Sequence, residues 1–339
     1  MSENPRVLLV GAGAVGQVFG KYLQAAGCEL SFLVKEKYAE EARRGYTLYE
    51  LGLLEKDYEP VTFSGFGVLV SMREVAARQW DQVWLCVSST ALRAGGWVGE
   101  LARATGDATW VMLQPALDDR EWLLQWVPEE RLVSGMIPFI SFHAPLKPGA
   151  PVPKKPGTAF LIPPLTRGPF SGPPERLQPV VRTLRAGGYP ASRTGDVARG
   201  AAIPTAVLTV FVQALEAAGW SFERFLQRDS LERTVRAARE AIRIAAWRTH
   251  ASASAILPLL RPALFKLLLP LAARVTPFDL ETYLKVHFTK VGEQTRLMMR
   301  TYVDLGRSAG LPVDGLQAVA PGDSGSPPAS ARPRAEHPG

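Results

Sequence analysis

Cysteine is nearly missing from this chain of 339 residues. Cys28 and Cys86 are the only two. One follows a helix pattern and the other lies inside an apolar strand pattern, so both read as small buried side chains, which excludes a disulfide framework. Histidine is scarce as well, at four residues, and neither the histidines nor the cysteines show a metal-ligand spacing, so no bound metal is expected. The N-terminus lacks the basic, apolar and small-residue succession of a secretory signal: "MSENPR" runs straight into the strand-like "VLLV". The cytoplasm is therefore the expected location. No uninterrupted apolar run of membrane-span length occurs either. The nearest, residues 255–275, is broken by Arg261, Lys266, Arg274 and three prolines, and reads as buried or amphipathic helix of a soluble domain, so membrane contact is not expected. Finally, the net charge of +7 forms no single basic block. A nucleic-acid partner is not expected, and phosphate-bearing small molecules account for the positive balance equally well.

What is present is ordinary globular composition, 47% apolar and 21% charged, in a chain long enough for two domains. Residues 6–34 read as strand, glycine turn, helix, strand. Further strand patterns fall at "VTFSG", "QVWLCVS" (82–88), "TWVMLQP" (109–115), "RLVSGMIPFISF" (131–142) and "TAFLIPP", with helical segments around 72–79, 90–104 and 118–126. From about Pro174 the pattern turns helical, over 173–187, 197–219, 220–250, 255–274 and 278–310. The last twenty residues, "APGDSGSPPASARPRAEHPG", hold almost nothing able to pack a core.

The glycine turn carries the first functional signal. Gly11, Gly13 and Gly16 have GxGxxG spacing directly after an apolar strand and directly before a helix. Gly11 permits the tight turn, Gly13 lets the backbone approach a pyrophosphate, and Gly16, with Gly20 one turn later, lets helix and strand pack closely. Ala12, Ala14 and Val15 complete the expected cofactor cradle at the helix N-terminus. After the second strand come Lys35 and Lys37, with Glu36 between them. Cations there suit a 2′-phosphate, so NADPH is expected ahead of NADH. Arg43 and Arg44 read as a solvated helix face. The fold class expected is an α/β Rossmann-like N-terminal domain followed by an all-α C-terminal domain. The expected boundaries are 1–190 for the first domain, with a Pro-rich insertion at about 144–174, 191–318 for the helical domain, and 319–339 for a disordered tail.

The chain resembles the ketopantoate reductase family. The resemblance rests on "VLLVGAGAVGQVFGKYLQAAG" with its following basic residue, the strands ending at "WLCVSS" and "VMLQPA", the helical second domain, and the long segment "YLKVHFTKVGEQTRLMMRTYVDLGRSAGLP". It implies NADPH-dependent reduction of the keto group of a 2-oxo acid, with a lysine early in the helical domain as general acid, flanking asparagines, and a carboxylate near the last long helix that binds substrate. This chain departs from that pattern. Ser88 stands where the third strand of the family usually ends in lysine, and Pro115, preceded by Gln114, stands where an asparagine follows the fourth; Ser88 and Gln114 are the expected cofactor contacts there. In "DVARGAAIPTAV" the lysine position becomes Gly200 and the asparagine position Pro204, with Arg199 one residue away. An arginine does not readily donate a proton near neutral pH.

The remaining candidates lie at 283–296. His287, Lys290 and Gln294, at i, i+3 and i+7, share one face of a continuous helix, with Glu293 and Arg296 beside it. Lys290 is expected as the cation at a developing oxyanion and His287 as donor or orienter. Glu293, Gln294 and Arg199 are expected to contact substrate. A solvated helix face with a Lys290–Glu293 pair is the alternative. His143 and His250 read as a strand-end and a helix-end residue. Two functions follow as expectations: a reductase of a 2-oxo acid or related small carbonyl compound, or a non-catalytic NADP(H)-binding sensor or regulator. A homodimer is a further expectation from the resemblance.

Overall fold

The computed structural model describes residues 4–53, 59–147 and 155–319. The N-terminal part opens with β1 (Arg6–Val10), α1 (Ala14–Ala25) and β2 (Glu29–Leu33), followed by α2 (Ala39–Arg44), β3 (Tyr46–Glu50), β4 (Pro60–Phe63), β5 (Gly67–Leu69) and α3 (Met72–Ala76). It continues through β6 (Gln82–Leu85), α4 (Ser89–Arg93), α5 (Trp97–Ala104), β7 (Thr109–Met112) and α6 (Asp119–Leu123). After these come β8 (Leu132–Gly135), β9 (Ile140–Ala144), β10 (Gly157–Leu161), β11 (Gly168–Ser171), α7 (Pro174–Ala186) and β12 (Ala191–Arg193). The helical part holds α8 (Val197–Ala217), α9 (Phe222–Phe225), α10 (Arg228–Thr249), α11 (Pro262–Val275), α12 (Leu280–Lys290), α13 (Gly292–Ser308) and α14 (Asp314–Val319).

Eight strands form one sheet in the order β12-β11-β8-β7-β6-β1-β2-β5. The run from β8 to β5 is parallel, and β11 enters antiparallel to β8. β6 and β7 are buried at every residue, as near-continuous apolar runs covered by helices on both faces must be. Strand order reverses between β1 and β6, which opens the crevice at the carboxyl ends of these two strands, the usual place for a ligand in such a sheet.

A second sheet, β4-β3-β10-β9, was not visible in the sequence. It packs on the far side of α1, which is held between the two sheets. Gly20 makes that possible: a Cβ there would lie 2.8 Å from Phe63 of β4 and 3.1 Å from Phe32 of β2. The run 131–142, read as one strand, divides into β8 and β9, which belong to different sheets, with Pro138 between them.

β12 pairs with β11, so the first sheet continues three residues past the expected boundary at 190. In the helical part α8, α10, α13 and α14 share one core around Ala206, Val210, Ala241 and Tyr302. By length and composition α8 could cross a membrane, but half of it is buried in this domain. Two expected helices are shorter than read. The 255–274 helix begins only at Pro262, and the 278–310 helix is interrupted at Val291 between α12 and α13. The expected tail beyond residue 319 and part of the Pro-rich insertion, 148–154, lie outside the described residues.

Candidate dinucleotide site

The glycine loop lies at the open crevice and its geometry follows from its sequence. Gly11 has a φ of +96°, and its N–H donates to the Leu33 carbonyl at 3.0 Å, tying the loop to the end of β2. A Cβ at Gly16 would sit 2.2 Å from the Gly11 carbonyl oxygen, so the helix can approach the turn only with glycine there. Gly13 is the N-cap of α1, with φ −71° and ψ 179°, and no side chain caps the helix. Around a Cβ built on Gly13 nothing lies within 4 Å. The first turn of α1 thus has no capping side chain, the arrangement that receives an anion. The loop fits a dinucleotide pyrophosphate.

Gln17 fixes this loop and was missed in the sequence, where only its polarity inside an apolar helix face marks it. Its Nε2 donates to the Ala12 carbonyl at 2.8 Å, and its Oε1 accepts from Thr158 Oγ1 of β10 at 2.6 Å. Both side chains are buried. The second sheet thus holds the glycine loop from behind. Lys35 and Lys37 are exposed immediately after β2, and Lys37 Nζ lies 4.8 Å from the Tyr38 ring. Arg43 and Arg44 are exposed in the last turn of α2.

At the ends of β6 and β7 the expected contacts have other partners. Ser88 caps α4, its Oγ accepting from the Ala91 N–H at 3.1 Å and lying 2.9 Å from Thr90 Oγ1. Gln114 is buried, and its amide is spent internally: Nε2 donates to the Leu85 and Val87 carbonyls at 2.9 and 2.7 Å, and Oε1 accepts from the Leu113 N–H at 3.1 Å. Instead of facing a cofactor, Gln114 ties the two strand ends together.

A polar network beneath this edge was also missed. Asp119 is fully buried and accepts from Ser89 Oγ at 2.7 Å and from the Ala116 N–H at 2.7 Å, and it pairs with Arg93. Arg93 also pairs with Asp118 at 2.9 Å. Burial raises the Asp119 carboxyl above its ordinary range, opposed by Ser89, Arg93 and the Ala116 N–H. From the helical domain, Gln294 reaches into the same place: its Oε1 accepts from the Ser89 N–H at 2.9 Å. Of the residues expected to bind substrate, Gln294 is thus placed at the join between the domains, at the carboxyl end of β6.

His287, Lys290 and Gln294 do not share one unbroken helix, because the interruption at Val291 separates them. His287 packs against the rings of Tyr283 and Phe288, at centroid distances of 5.3 and 4.8 Å. Burial, and secondarily the Lys290 charge, lower its pKa to about 4. The imidazole is therefore neutral at pH 7. Between about pH 6.5 and 4 the unfolded chain takes up a proton here that the folded chain refuses, so stability falls as pH falls through that window. His287→Phe is expected to flatten this part of the profile, measured as urea midpoints from pH 7 to 4. Lys290 is exposed at the end of α12. Glu293 is exposed and pairs with Arg296 at 3.1 Å, which also pairs with Glu216 at 3.1 Å. The Lys290–Glu293 pair is replaced by this one. His143 is exposed on β9, and His250 caps α10 in the left-handed conformation at φ +53°.

A cavity of about 620 Å³ opens at the start of α8, lined by Asp196, Arg199, Gly200, Ile203, Pro204 and Ile256 among others. Gly200 and Pro204, the positions where the resemblance leads one to expect lysine and asparagine, are both on its wall. A Cβ on Gly200 would meet nothing within 4 Å. Arg199 is the one Lys or Arg among the lining residues; His287 and Lys290 are not among them. Both cysteines are unpaired, and burial pushes the Cys28 thiol up to about 11 and that of Cys86 up as well.

With this geometry in view, residues 7–147 match the profile of the family described as ketopantoate reductase PanE/ApbA. The ketopantoate reductase fold extends over the helical part too. The 2-dehydropantoate 2-reductase of Geobacter metallireducens GS-15 is similar with a TM-score of 0.67 at 18% identity, over 93% of this chain and 97% of that one. The PanE/ApbA family ketopantoate reductase of Ralstonia eutropha JMP134 is similar with a TM-score of 0.68 at 17% identity, over 93% and 95%. A D-mandelate dehydrogenase solved with NADH and anilino(oxo)acetate is similar with a TM-score of 0.67 at 11% identity, over 93% and 95%. No curated protein matches the chain. At these identities the solved structures establish the fold.

Proposed function

We propose that this chain is a cytoplasmic nicotinamide-dependent reductase of a 2-oxo acid or related small carbonyl compound, with NADPH preferred over NADH. The observation that carries this reading is the uncapped N-terminus of α1 behind Gly11, Gly13 and Gly16, facing the crevice between β1 and β6. The PanE/ApbA match and the likeness to dehydrogenases of 2-oxo and 2-hydroxy acids support the reaction class. Lys35 and Lys37 support the phosphorylated cofactor.

A bound reduced nicotinamide supplies the hydride. The residues of the chain then bind, orient and protonate. Gln294, fixed on the Ser89 N–H, holds the helical domain against the end of β6, where a carbonyl substrate meets the cofactor site. Arg199, the cation of the α8 cavity, pairs with a substrate carboxylate. Lys290, exposed at the end of α12, gives the proton to the carbonyl oxygen as charge develops there. Lys290→Ala is expected to lower kcat by about a hundredfold or more while leaving NADPH affinity unchanged, by steady-state kinetics and fluorescence titration. Unchanged kcat in that variant would remove Lys290 from the role of donor.

The second reading, an NADP(H)-binding sensor without chemistry, is favoured by one observation. Gly200 and Pro204 leave the α8 cavity with no lysine or asparagine on its wall. Saturable NADPH binding with no NADPH oxidation across a panel of 2-oxo acids would select it. A homodimer belongs to the proposal as well, and its mass in sedimentation would be twice 36.9 kDa.

A further inference from the structure

The stretch 255–275, read as buried or amphipathic helix, presents an exposed apolar face. Of the large residues of α11 only Leu269 is buried, while Phe265 stacks on Phe211 at 6.2 Å and meets Phe225 edge-on at 5.8 Å. These two side chains fasten the inner face of α11 to the helical domain. On the outer face, Leu267, Leu271 and Val275 stand at i, i+4 and i+8 and are 67, 53 and 50% exposed, with Leu268 beside them at 48%. Leu259 in the preceding turn is 68% exposed. Scattered apolar residues on a surface need no explanation, but a contiguous stripe of this kind marks a binding face.

Charge identifies the partner. From Ala241 to Phe278 the chain has five Lys or Arg residues and no Asp or Glu. Arg248 is engaged with Glu121. Lys266 and Arg274 are exposed and form, with Pro270 between them, a row at i, i+4 and i+8 directly alongside the leucine stripe. An apolar stripe flanked by cations, on a helix lying flat on its domain, has the composition of an interfacial helix on an anionic bilayer. A second copy suits this face poorly. A two-fold axis through the stripe would set the same cations against each other, with no carboxylate in the segment to pair with them.

We propose that the outer face of α11 docks this protein on the surface of an anionic phospholipid bilayer, the leucine stripe entering the acyl boundary and Lys266 and Arg274 meeting the headgroups. The proposal is independent of the reaction assigned above. The test is flotation of the full chain with phosphatidylcholine vesicles, with and without phosphatidylglycerol, at low and high salt. The expected result is binding that needs phosphatidylglycerol and falls with salt. It should drop about tenfold or more both in L267E/L271E and in K266Q/R274Q. All four positions are exposed, and circular dichroism with NADPH titration of the same samples checks that the fold persists. Failure to bind phosphatidylglycerol vesicles, or binding that L267E/L271E leaves unchanged, overturns the proposal. A wild-type dimer that L267E/L271E dissociates, without vesicle binding, overturns it in favour of a second copy.

Discussion

Gly13→Asp is expected to abolish dinucleotide binding without unfolding the protein, and even to raise its stability slightly. The two effects have opposite signs because the same N–H groups serve both. Gly13 is the N-cap of α1 in an extended conformation that any residue adopts, and its Cβ position is open. Aspartate there caps the first-turn N–H groups and sits well on the helix dipole, which contributes a few tenths to about 1 kcal/mol. The same carboxylate occupies the place of the pyrophosphate and repels it. NADPH affinity should fall about a hundredfold or more, roughly 3 kcal/mol, by fluorescence titration. Thermal melts on the same preparation give the other arm. A variant that melts well below the wild type would mean that Gly13 is needed for packing, and a variant that binds NADPH normally would mean that the pyrophosphate lies elsewhere.

The largest effect on stability is expected at Asp119. Its carboxylate is fully buried and takes the Ser89 hydroxyl, the Ala116 N–H and Arg93, so Asp119→Ala strands two donors and half of the charge balance of Arg93. Removing one partner of such a pair costs about 3–5 kcal/mol, and the remaining bond from Arg93 to Asp118 places this case near the lower figure. Asp118→Ala is the matched control. That side chain is 40% exposed, so its loss should cost less than about 1 kcal/mol. Urea unfolding of both variants checks the contrast. Equal costs for the neighbouring aspartates would contradict the network. Because Gln294 of the helical domain accepts from the backbone of Ser89, Asp119→Ala should also loosen the join between the domains.

Adjacent aspartates with such different roles show where sequence reasoning stops. In "ALDDREW" nothing distinguishes the fully buried carboxylate from its half-exposed neighbour, because burial there is set by how α4 and α6 pack, long-range facts that local pattern does not carry. The strand–glycine–helix unit at 6–33 was legible for the opposite reason: apolar run, turn chemistry and helix follow one another within the chain. The second sheet was hidden because its central pairing, β3 with β10, joins segments more than 100 residues apart, as Leu48 and Thr158 show, and because one apolar run feeds two sheets around Pro138. Periodicity carried the His287, Lys290 and Gln294 set across Val291 as if the helix were unbroken, whereas the interruption leaves Gln294 on Ser89 and His287 among aromatic rings. The run 255–275 left buried and amphipathic helix both open, and three-dimensional packing uses only one side of α11. Gln17 and Thr158, which brace the cofactor loop, are 141 residues apart and could be joined only in the fold.

A dinucleotide site at the bare N-terminus of α1, with Lys35 and Lys37 meeting a 2′-phosphate, should separate the two nicotinamide cofactors by affinity. Parallel fluorescence titrations of the wild-type chain with NADPH and NADH test it most directly. Saturable binding of both is expected, tighter for NADPH. Absence of binding by either cofactor would contradict it.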